Sequence, residues 1–327
     1  MKLENPFLIR GYAGPEYFCD RETETAQLVA AIANGRDVTL VAPRRYGKTG
    51  LIQNAFCELE ASHATVYIDI FSIDNLTAFV QTFSSAIVGT KATLKDTFDY
   101  IAASGRKIVI AIDEFQQIRE FPEKGVEALL RSYIQFAPNA HFIFAGSKKH
   151  MMDEMFVSPK GPFYQSTQLM ALGPIAEESY SDFAEKFFRK AGRSFDKVAF
   201  SHIYGRFEGI TWYVQMVLNR IWSSGAGLES AAQVDATVTE IVEGADLFYY
   251  DLLRSQTMTE QAILKAIGRE GPVKAISAAE FISRNSLPAA STVRSAMSSL
   301  KERDLVYLTE DGYVVYDRFF GLWLAGK

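Results

Sequence analysis

Five short apolar runs, separated by longer stretches with helical periodicity, constrain the fold of this sequence more than any other feature. One of them, residues 108–112, reads IVIAI and is apolar at every position, which is typical of a strand buried on both sides. Strands that alternate with helices predict an α/β fold, with a parallel sheet and helices on both of its faces. The predicted strands are 38–41, 65–71, 107–112, 141–145 and 168–172, and the helices between them include 50–59, 76–88 and 125–136.

The segment after the first predicted strand, TLVAPRRYGKTGLI at residues 39–52, has the spacing of a phosphate-binding loop. Gly47 lets phosphate oxygens approach the backbone, Lys48 supplies a positive charge, and Thr49 supplies a hydroxyl for Mg²⁺. A helix that begins near Gly47 adds the positive end of its dipole. Ala42 replaces the first glycine of the motif, and its methyl group is tolerated if φ stays negative. The alternative is a strand, turn and helix with a chance glycine and lysine.

Two other strand ends carry polar residues that suit the same site. The strand in KIVIAIDEF, residues 107–115, ends with Asp113 and Glu114. Ligands of such sheets bind at the carboxyl ends of the strands, so Asp113 is predicted to hold Mg²⁺ and Glu114 to activate a water. Ser147, after HFIFAG, is predicted to contact the γ-phosphate or that water, although a serine can also simply end a strand. Two adjacent acids can form a solvated turn, but both motifs together favour a nucleotide site.

The β signals fade after Gly173-Pro174, and the remaining chain is predicted to form two further domains. Three helical segments followed by two short strands around Asp311-Gly312 are typical of a winged helix-turn-helix domain. Ser291 is the predicted N-cap of the third of these helices. The predicted domains are a P-loop nucleotide-binding domain at 1–173, a helical lid at 174–254 and the winged helix at 255–327, with helices at 177–191, 211–222, 258–270, 277–285 and 291–304.

The charge of the C-terminal segment does not decide whether its partner is DNA or protein. Residues 255–327 contain nine basic and eight acidic residues, whereas a DNA-binding face usually shows clustered positive charge. DNA contact and a purely protein or intramolecular role are therefore both retained, and FFGLWL at 319–324 is expected to pack the domain onto itself or the lid. The third helix and the wing carry basic Arg294, Lys301 and Arg303 and acidic Glu302, Asp304, Glu310 and Asp311.

Composition excludes several classes of protein. The chain has 327 residues, 48% of them hydrophobic and 22% charged, which indicates globular domains rather than disorder. A net charge of −5 gives no general attraction to nucleic acid or acidic membranes. The two cysteines, Cys19 and Cys57, form no metal-binding pair, and the start MKLENPFLIRGY lacks the apolar core of a signal peptide. A cytoplasmic location without membrane contact is expected.

With these residues identified, the chain resembles the P-loop ATPases of the AAA+/STAND kind, in particular the archaeal-type ATPase family. The resemblance covers almost the whole chain, and its motif variants are more specific than a bare phosphate loop. The segments that carry it are YFCDRETETAQL (17–28), VAPRRYGKTGLI (41–52), IDEFQ (112–116), FAGSKKHMM (144–152) and VVYDRFFGLWL (314–324).

The resemblance implies roles for further residues. Phe18, Asp20 and Arg21 are expected near the adenine, and one of Arg44 and Arg45 is expected to face the γ-phosphate or a partner. The predicted catalytic residues are Lys48, Glu114 and Ser147, and the predicted metal ligands are Thr49 and Asp113. The predicted nucleotide contacts are Phe18, Arg21, Pro43, Arg44, Arg45, Tyr46, Gly47, Lys48, Thr49, Gly50 and Asp113.

Two departures from the family pattern affect the expected activity. Thr211 stands where a Gly-x-Pro turn that starts at Gly209 would have its proline, which puts an adenine contact there in doubt. Gln165-Ser166 stands where family members often carry Gly-Arg. Because an arginine can accelerate phosphoryl transfer by about 10³-fold or more, its loss predicts slow intrinsic hydrolysis.

The sequence thus predicts an ATP-binding protein with slow Mg²⁺-dependent hydrolysis that acts as a nucleotide-controlled conformational switch. ATP or ADP and Mg²⁺ are the expected ligands, with DNA or a protein as the partner of the winged helix. The alternative is a DNA-binding regulator in which the nucleotide is mainly structural, and a P-loop kinase is a weaker third interpretation. The oligomeric state stays open.

Overall fold

The structure is a computed structural model that describes residues 3–327. The chain divides into two compact units, each of which is described separately. The first contains the chain up to Phe195 together with Tyr204–Ala226, and the second contains Asp196–Ile203 and Gly227–Lys327. The predicted domain boundaries stay predictions, and the helices between residues 174 and 254 are distributed over both units.

The first unit is built around five strands: β1 (Val38–Val41), β2 (Ala64–Asp69), β3 (Ile108–Asp113), β4 (Ala140–Gly146) and β5 (Gln168–Ala171). They form one parallel sheet with the order β2-β3-β4-β1-β5. The predicted parallel α/β fold is therefore confirmed, and the ends of each predicted strand differ from the observed ones by two residues at most. The carboxyl ends of β1, β3 and β4 lie along the same edge of the sheet.

Helices cover both faces of this sheet. On one face Ile110 and Phe142 belong to a core with three helices, α3 (Leu76–Val88), α4 (Leu94–Ala103) and α5 (Val126–Ile134). On the other face Val109 and Ile143 belong to a core with α1 (Glu22–Ala33) and α2 (Lys48–Leu59). Successive residues of a strand point to opposite faces, which explains why β3 is apolar from Ile108 to Ile112. The chain continues with α6 (Lys149–Phe156), α7 (Glu177–Lys190) and α9 (Thr211–Ser223) in this unit, whereas most of α8 (Lys197–Arg206) belongs to the second unit.

The second unit contains the predicted winged helix. Its elements are α10 (Ala231–Glu243), α11 (Asp246–Arg254), α12 (Met258–Glu270), α13 (Ala279–Arg284), α14 (Ala290–Glu302), β6 (Val306–Leu308), β7 (Tyr313–Val315) and α15 (Arg318–Ala325). The strands β6 and β7 pair antiparallel and form the wing around Asp311-Gly312, as predicted. Thr257 and Glu260 form a capping box at the start of α12. Within residues 3–327, no helix has both the length and the apolar character needed to cross a bilayer.

One predicted helix start is wrong. The N-cap of α14 is Ala289, and no side chain caps this helix. Pro288 precedes an extended Ala289 (φ −52°, ψ 148°), so the helix already begins at Ala290 and Ser291 lies within its first turn. At the other end Asp304 adopts a left-handed backbone (φ 53°), and α14 therefore stops at Glu302, before the predicted end.

The segment FFGLWL forms most of α15 and packs inside the second unit. The Phe320 ring lies 5.3 Å from the Tyr249 ring, measured between centroids, and Trp323 Nε1 donates a 2.7 Å hydrogen bond to Asp246. Where α15 crosses α12, a Cβ added at Gly268 would come within 2.7 Å of Leu324 Cβ. The segment therefore packs within the second unit, against both α11 and α12, and glycine permits the close approach of α12 and α15.

Two buried histidines lie side by side near the amino ends of β2 and β4. His63 and His141 are 5% and 9% exposed, and their ring centroids are 6.2 Å apart. Burial lowers the pKa of both imidazoles, and the positive charge of Lys107 lowers both further. Burial acts in the opposite sense on Asp37, whose pKa it raises to about 6. The folded state therefore disfavours a proton on either histidine.

We expect the two histidines to make the protein acid-sensitive. An imidazole with a lowered pKa contributes its full stability above the unfolded value of about 6.5 and loses it as the pH falls. The double variant His63→Gln/His141→Gln should lose less free energy of unfolding than the parent between about pH 7.5 and pH 5. Urea unfolding at both pH values measures this. Asp37 is present in both proteins, so its own contribution to the pH dependence cancels in the comparison. If parent and variant lost the same free energy of unfolding between the two pH values, the assignment to the histidines would be contradicted.

Candidate nucleotide-binding site

The loop between β1 and α2 makes its turns at Arg45 and Gly47. Both residues have left-handed backbones, with φ of 73° and 90°, whereas Ala42 keeps a negative φ. The Ala42 N–H donates to Gly146 O at 3.3 Å, and its side chain is buried. The alanine is thus accommodated on the condition that the sequence analysis stated, because the loop needs no glycine conformation at residue 42.

Lys48 opens α2 and points its ammonium back under this loop. Its Nζ donates to Ala42 O at 2.9 Å, and the residue is 6% exposed. Burial lowers the pKa of Lys48, and the negative charges of Glu114 and Asp113 partly oppose this shift. An ammonium has three N–H groups, so it can still donate to anionic oxygens beside the loop.

Thr49 and Asp113 meet at the carboxyl edge of the sheet, and a third residue joins them. Thr49 Oγ1 donates to Asp113 Oδ2 at 3.1 Å, and Tyr67 Oη donates to the same oxygen at 2.6 Å. Burial and then the charge of Asp113 raise the pKa of Tyr67, which keeps this hydroxyl protonated. Tyr67 could not be recognised from sequence patterns, because its approach to Asp113 depends on the pairing of β2 with β3.

The Glu114 carboxylate is held by two donors. Ser147 Oγ, just beyond β4, donates to Glu114 Oε2 at 2.6 Å, and Gln116 Nε2 donates to the same oxygen. Glu114 itself has a left-handed backbone (φ 55°), which turns its side chain out of the strand direction. Gln116 was missed in the sequence analysis, although it stands in the motif IDEFQ. The predicted phosphate contact of Ser147 stays a prediction.

A cavity of about 330 Å³ lies between the phosphate loop, α9 and residues 4–12, here called the N-terminal segment. Most of the predicted nucleotide contacts line it, while Pro43 and Ser147 do not. Metal-binding clusters of three or more His, Cys, Asp or Glu residues are absent from residues 3–327. The predicted residues that line the cavity are Phe18, Arg21, Arg44, Arg45, Tyr46, Gly47, Lys48, Thr49, Gly50, Asp113 and Glu114.

The residues expected near adenine differ in what they contact. A Cβ added at Gly50 would come within 3.0 Å of the Phe18 ring, so glycine at this position lets the ring lie over the start of α2. The Tyr12 ring approaches Phe18 edge-on, with centroids 5.8 Å apart. Arg21 is only 5% exposed, and its guanidinium donates to Glu24 Oε1 and to Gly173 O, each at 2.6 Å. Arg21 therefore joins the start of α1 to the chain just after β5.

The N-terminal segment is a part of the cavity wall that the sequence analysis missed. Carbonyl oxygens of this segment accept hydrogen bonds from one face of α9: Ile9 O from Trp212 Nε1 (3.2 Å), Phe7 O from Asn219 Nδ2 (2.7 Å) and Glu4 O from Trp222 Nε1 (2.8 Å). Asn219 and Trp222 lie about two and three helical turns beyond Trp212, so the three donors share a face of α9. Residues 8–12 line the cavity as a result.

Arg45 connects the phosphate loop to α9. Its guanidinium lies 4.4 Å from the centroid of the Trp212 ring and 4.8 Å from that of Tyr213, and it donates to the Tyr213 hydroxyl. The Trp212 N–H donates to Arg45 O at 3.1 Å. Arg44 stacks elsewhere, 4.8 Å from the centroid of the Phe71 ring. The loop and the first turn of α9 are therefore bonded through both the backbone and the side chain of one residue.

These groups form a chemically coherent set. A buried ammonium, the amino end of α2 and a row of backbone N–H groups attract a chain of phosphates. The Thr49 hydroxyl and the Asp113 carboxylate are hard oxygen donors of the kind that bind Mg²⁺, which usually takes few protein ligands and shares the rest with phosphates and water. The residues present thus fit a magnesium nucleotide.

Two family comparisons match this chain. The family described as "ATPase domain predominantly from Archaea" matches residues 18–217, and that described as "Probable winged helix domain" matches residues 247–326. No curated protein matches the chain.

Solved structures share the fold at low sequence identity. A Walker-type ATPase of Pyrococcus abyssi, PABY2304, has a TM-score of 0.73 and 16% identity and covers 98% of this chain and 99% of its own. The ORC2 protein of Aeropyrum pernix, described as ADPNP–ADP complexes, has a TM-score of 0.61 and 14% identity, with 98% and 96% covered. A RuvB variant of Thermotoga maritima has a TM-score of 0.51 and 16% identity, with 95% and 96% covered. Because the ATPase match spans more than half of the chain, this protein belongs to the family of ATPases found predominantly in Archaea.

Proposed function

We propose that this protein binds ATP with Mg²⁺ in the cavity beside the phosphate loop, hydrolyses it slowly and uses the bound nucleotide to control its conformation. The observation that carries the proposal is the convergence of Lys48 with the Thr49–Asp113 pair at the carboxyl edge of the sheet. A buried ammonium next to a hydroxyl and a carboxylate suits the triphosphate of a nucleotide better than any neutral ligand.

Each of these residues has a distinct role in the proposal. Lys48 donates to the β- and γ-phosphates with N–H groups that the Ala42 carbonyl does not use. Thr49 and Asp113 hold Mg²⁺, which supplies positive charge to the phosphates when it is bound. Tyr67 holds the Asp113 carboxylate in one orientation through its 2.6 Å hydrogen bond.

Glu114 is the proposed general base. Its carboxylate accepts a proton from the water whose oxygen bonds to the γ-phosphorus, and the bond from that phosphorus to the bridging oxygen of the β-phosphate breaks. The products are ADP and inorganic phosphate, so no other acceptor is needed. Ser147 and Gln116 both donate to Glu114 Oε2, which fixes the carboxylate and leaves Oε1 for the water. We assign Ser147 a positioning role through Glu114. This requires no direct contact between Ser147 and a phosphate.

The conformational control is proposed to act through Arg45. A nucleotide that orders the phosphate loop also orders Arg45, and Arg45 holds the first turn of α9 by stacking on Trp212 and by its bond to Tyr213. Trp212 in turn donates to Ile9 O of the N-terminal segment. Binding therefore favours one arrangement of loop, helix and segment, which is what a nucleotide switch needs.

Slow hydrolysis is proposed because Gln165-Ser166 stands where family members often carry Gly-Arg. Gln165 and Ser166 precede β5 and so lie at the amino edge of the sheet, opposite the phosphate loop. An arginine at these positions would be too far from the phosphate loop of its own chain, so in this proposal it would serve a second copy of the chain. The Gln165-Ser166 pair therefore removes help that a neighbouring chain would give.

The assignment is tested by two substitutions. Lys48→Ala should weaken binding of a fluorescent ATP analogue at least about tenfold, because the phosphates lose a charge-assisted partner. Glu114→Gln should retain binding and lower single-turnover phosphate release about 10²- to 10⁴-fold, the range of general base catalysis. Unchanged affinity in the first variant would sink the proposal, and a fast rate in the unaltered protein would refute slow hydrolysis.

The role of Arg45 is tested with a matched arginine variant. Arg45→Ala should weaken nucleotide binding about 5- to 30-fold, since it loses a cation–π contact and a hydrogen bond to α9. It should also change the tryptophan emission of the nucleotide-free protein, because the cation leaves the face of Trp212. Arg44→Ala, which removes a cation from Phe71, should leave that emission unchanged. Equal emission spectra for the two variants would contradict the coupling.

The DNA-binding alternative has weaker support in the second unit. Arg303, one of three basic residues on the predicted DNA-reading helix, forms an ion pair with Glu260 and donates to Gln256, and Glu260 is only 5% exposed. Arg303 thus joins α14 to the start of α12. Arg294 and Lys301 are exposed, and Lys301 lies 5.9 Å from the centroid of the Tyr313 ring.

We expect Arg303→Ala to destabilise the second unit by about 1–3 kcal/mol, because it leaves the buried Glu260 carboxylate without its cation. Denaturant unfolding measures this loss. A mobility-shift assay at low and high salt, with ATP and with ADP, should show no specific DNA retardation for the parent. Sequence-specific retardation that is abolished in Arg294→Ala and retained in Arg303→Ala would instead establish the DNA-binding alternative.

A further inference from the structure

The cavity wall contributed by α9 carries a polar side chain that has an unused acceptor. Gln215 lies one turn beyond Thr211, lines the cavity and is 7% exposed. Its Oε1 is shielded from water and has no hydrogen-bond partner among residues 3–327. A buried acceptor without a partner costs free energy, so a ligand with a suitably placed N–H group would gain by supplying one.

The orientation of this amide is set by Tyr180. The Tyr180 hydroxyl donates its proton to Thr211 O at 3.1 Å. Burial is the main cause that raises the pKa of Tyr180, so the hydroxyl stays protonated, and the hydrogen bond from Gln215 acts against this shift, as a donor does. Because the single hydroxyl proton is already engaged, Gln215 has to offer Nε2 to Tyr180. The Oε1 atom is therefore the one left over.

A second shielded oxygen lies one turn earlier on α9. Thr211 Oγ1 also has no partner among the described residues, and Thr211 lines the same cavity. A hydroxyl can both donate and accept a hydrogen bond, so Thr211 does not discriminate between ligands with a donor and ligands with an acceptor at this place. The Gln215 carbonyl, by contrast, can only accept. The choice between ligands at this wall thus depends on Gln215.

The rest of the cavity supplies flat apolar surfaces. Phe18 lies over the start of α2 because residue 50 is glycine, and Tyr12 approaches Phe18 edge-on. Ile175 and Trp212 line the cavity as well. Aromatic and aliphatic walls with one directional polar group are the usual composition of a small-molecule pocket, and they suit a planar heterocycle.

We propose that Gln215 selects the base of the bound nucleotide, because its Oε1 accepts a hydrogen bond from the 6-amino group of adenine. The 6-oxygen of guanine in the same place would present a second acceptor and no proton. This inference rests on the proposed function, since it takes the cavity to hold a nucleoside triphosphate. Gln215 is then a specificity-determining residue, with Tyr180 as the residue that orients it.

Competition binding with three nucleotides tests this inference. ATP, GTP and purine riboside triphosphate, which lacks any substituent at position 6, each displace a ribose-labelled fluorescent ATP from the full-length protein. For the unaltered protein, ATP should bind about 10- to 100-fold more tightly than either competitor, the range expected when a buried acceptor is left unpaired. GTP or purine riboside triphosphate binding as tightly as ATP would overturn the inference.

The variant Gln215→Leu keeps the volume and removes the acceptor. This variant should bind ATP more weakly than the parent and bind purine riboside triphosphate with nearly the parental affinity. The ratio of the two affinities should therefore fall close to one. Tyr180→Phe should also lower this ratio, because the amide of Gln215 is then free to turn over. Gln135→Leu, an exposed glutamine outside the cavity, is the matched control and should keep the parental ratio.

The ratio is measured within one protein sample, so a partly unfolded variant does not distort it. A parental ratio in Gln215→Leu would refute the role of Gln215 while nucleotide binding stands. If the unaltered protein binds none of the three nucleotides, the proposed function fails, and this inference fails with it.

Discussion

A buried ammonium that faces two carboxylates across the end of a parallel sheet is the interaction on which the rest of this structure depends. Lys48 follows β1, and Asp113 and Glu114 end β3 and begin the turn after it, with only β4 between the two strands. Burial lowers the pKa of Lys48, while the two carboxylates oppose this shift. The charges offset one another only because the strands run parallel and end at one edge, so strand order and electrostatics specify the same site.

The phosphate loop shows how the chain accommodates an alanine where the motif has a glycine. The left-handed residues are Arg45 and Gly47, and Arg45 pays a cost of about 1–2 kcal/mol for this conformation as a residue with a side chain. Contacts of its guanidinium with Trp212 and Tyr213 offset that strain. Arg45 therefore both makes one of the turns of the phosphate loop and connects this loop to α9.

Local patterns were sufficient to predict the sheet, the phosphate loop, the acidic strand end and the winged helix. Each of these depends on residues that are close in sequence, such as the uniformly apolar β3 or the GKT that follows β1. Tyr67 and the segment around Ile9 were missed, because their positions depend on strand pairing and on hydrogen bonds to α9. Ser291 was assigned wrongly because Ala289, after Pro288, is the N-cap of α14, two residues before the serine.

The cavity wall is assembled from segments that are distant in the chain: residues 8–12, the phosphate loop, the end of β3 and the first turns of α9. A fragment that stops after β5 would retain every motif by which the site is recognised in sequence. It would nevertheless lack Trp212, Tyr213 and Gln215, and the N-terminal segment would lose its three hydrogen bonds to α9. Such a shortened protein is a poor surrogate for ligand screening, because its motifs would be intact while its pocket was open on one side.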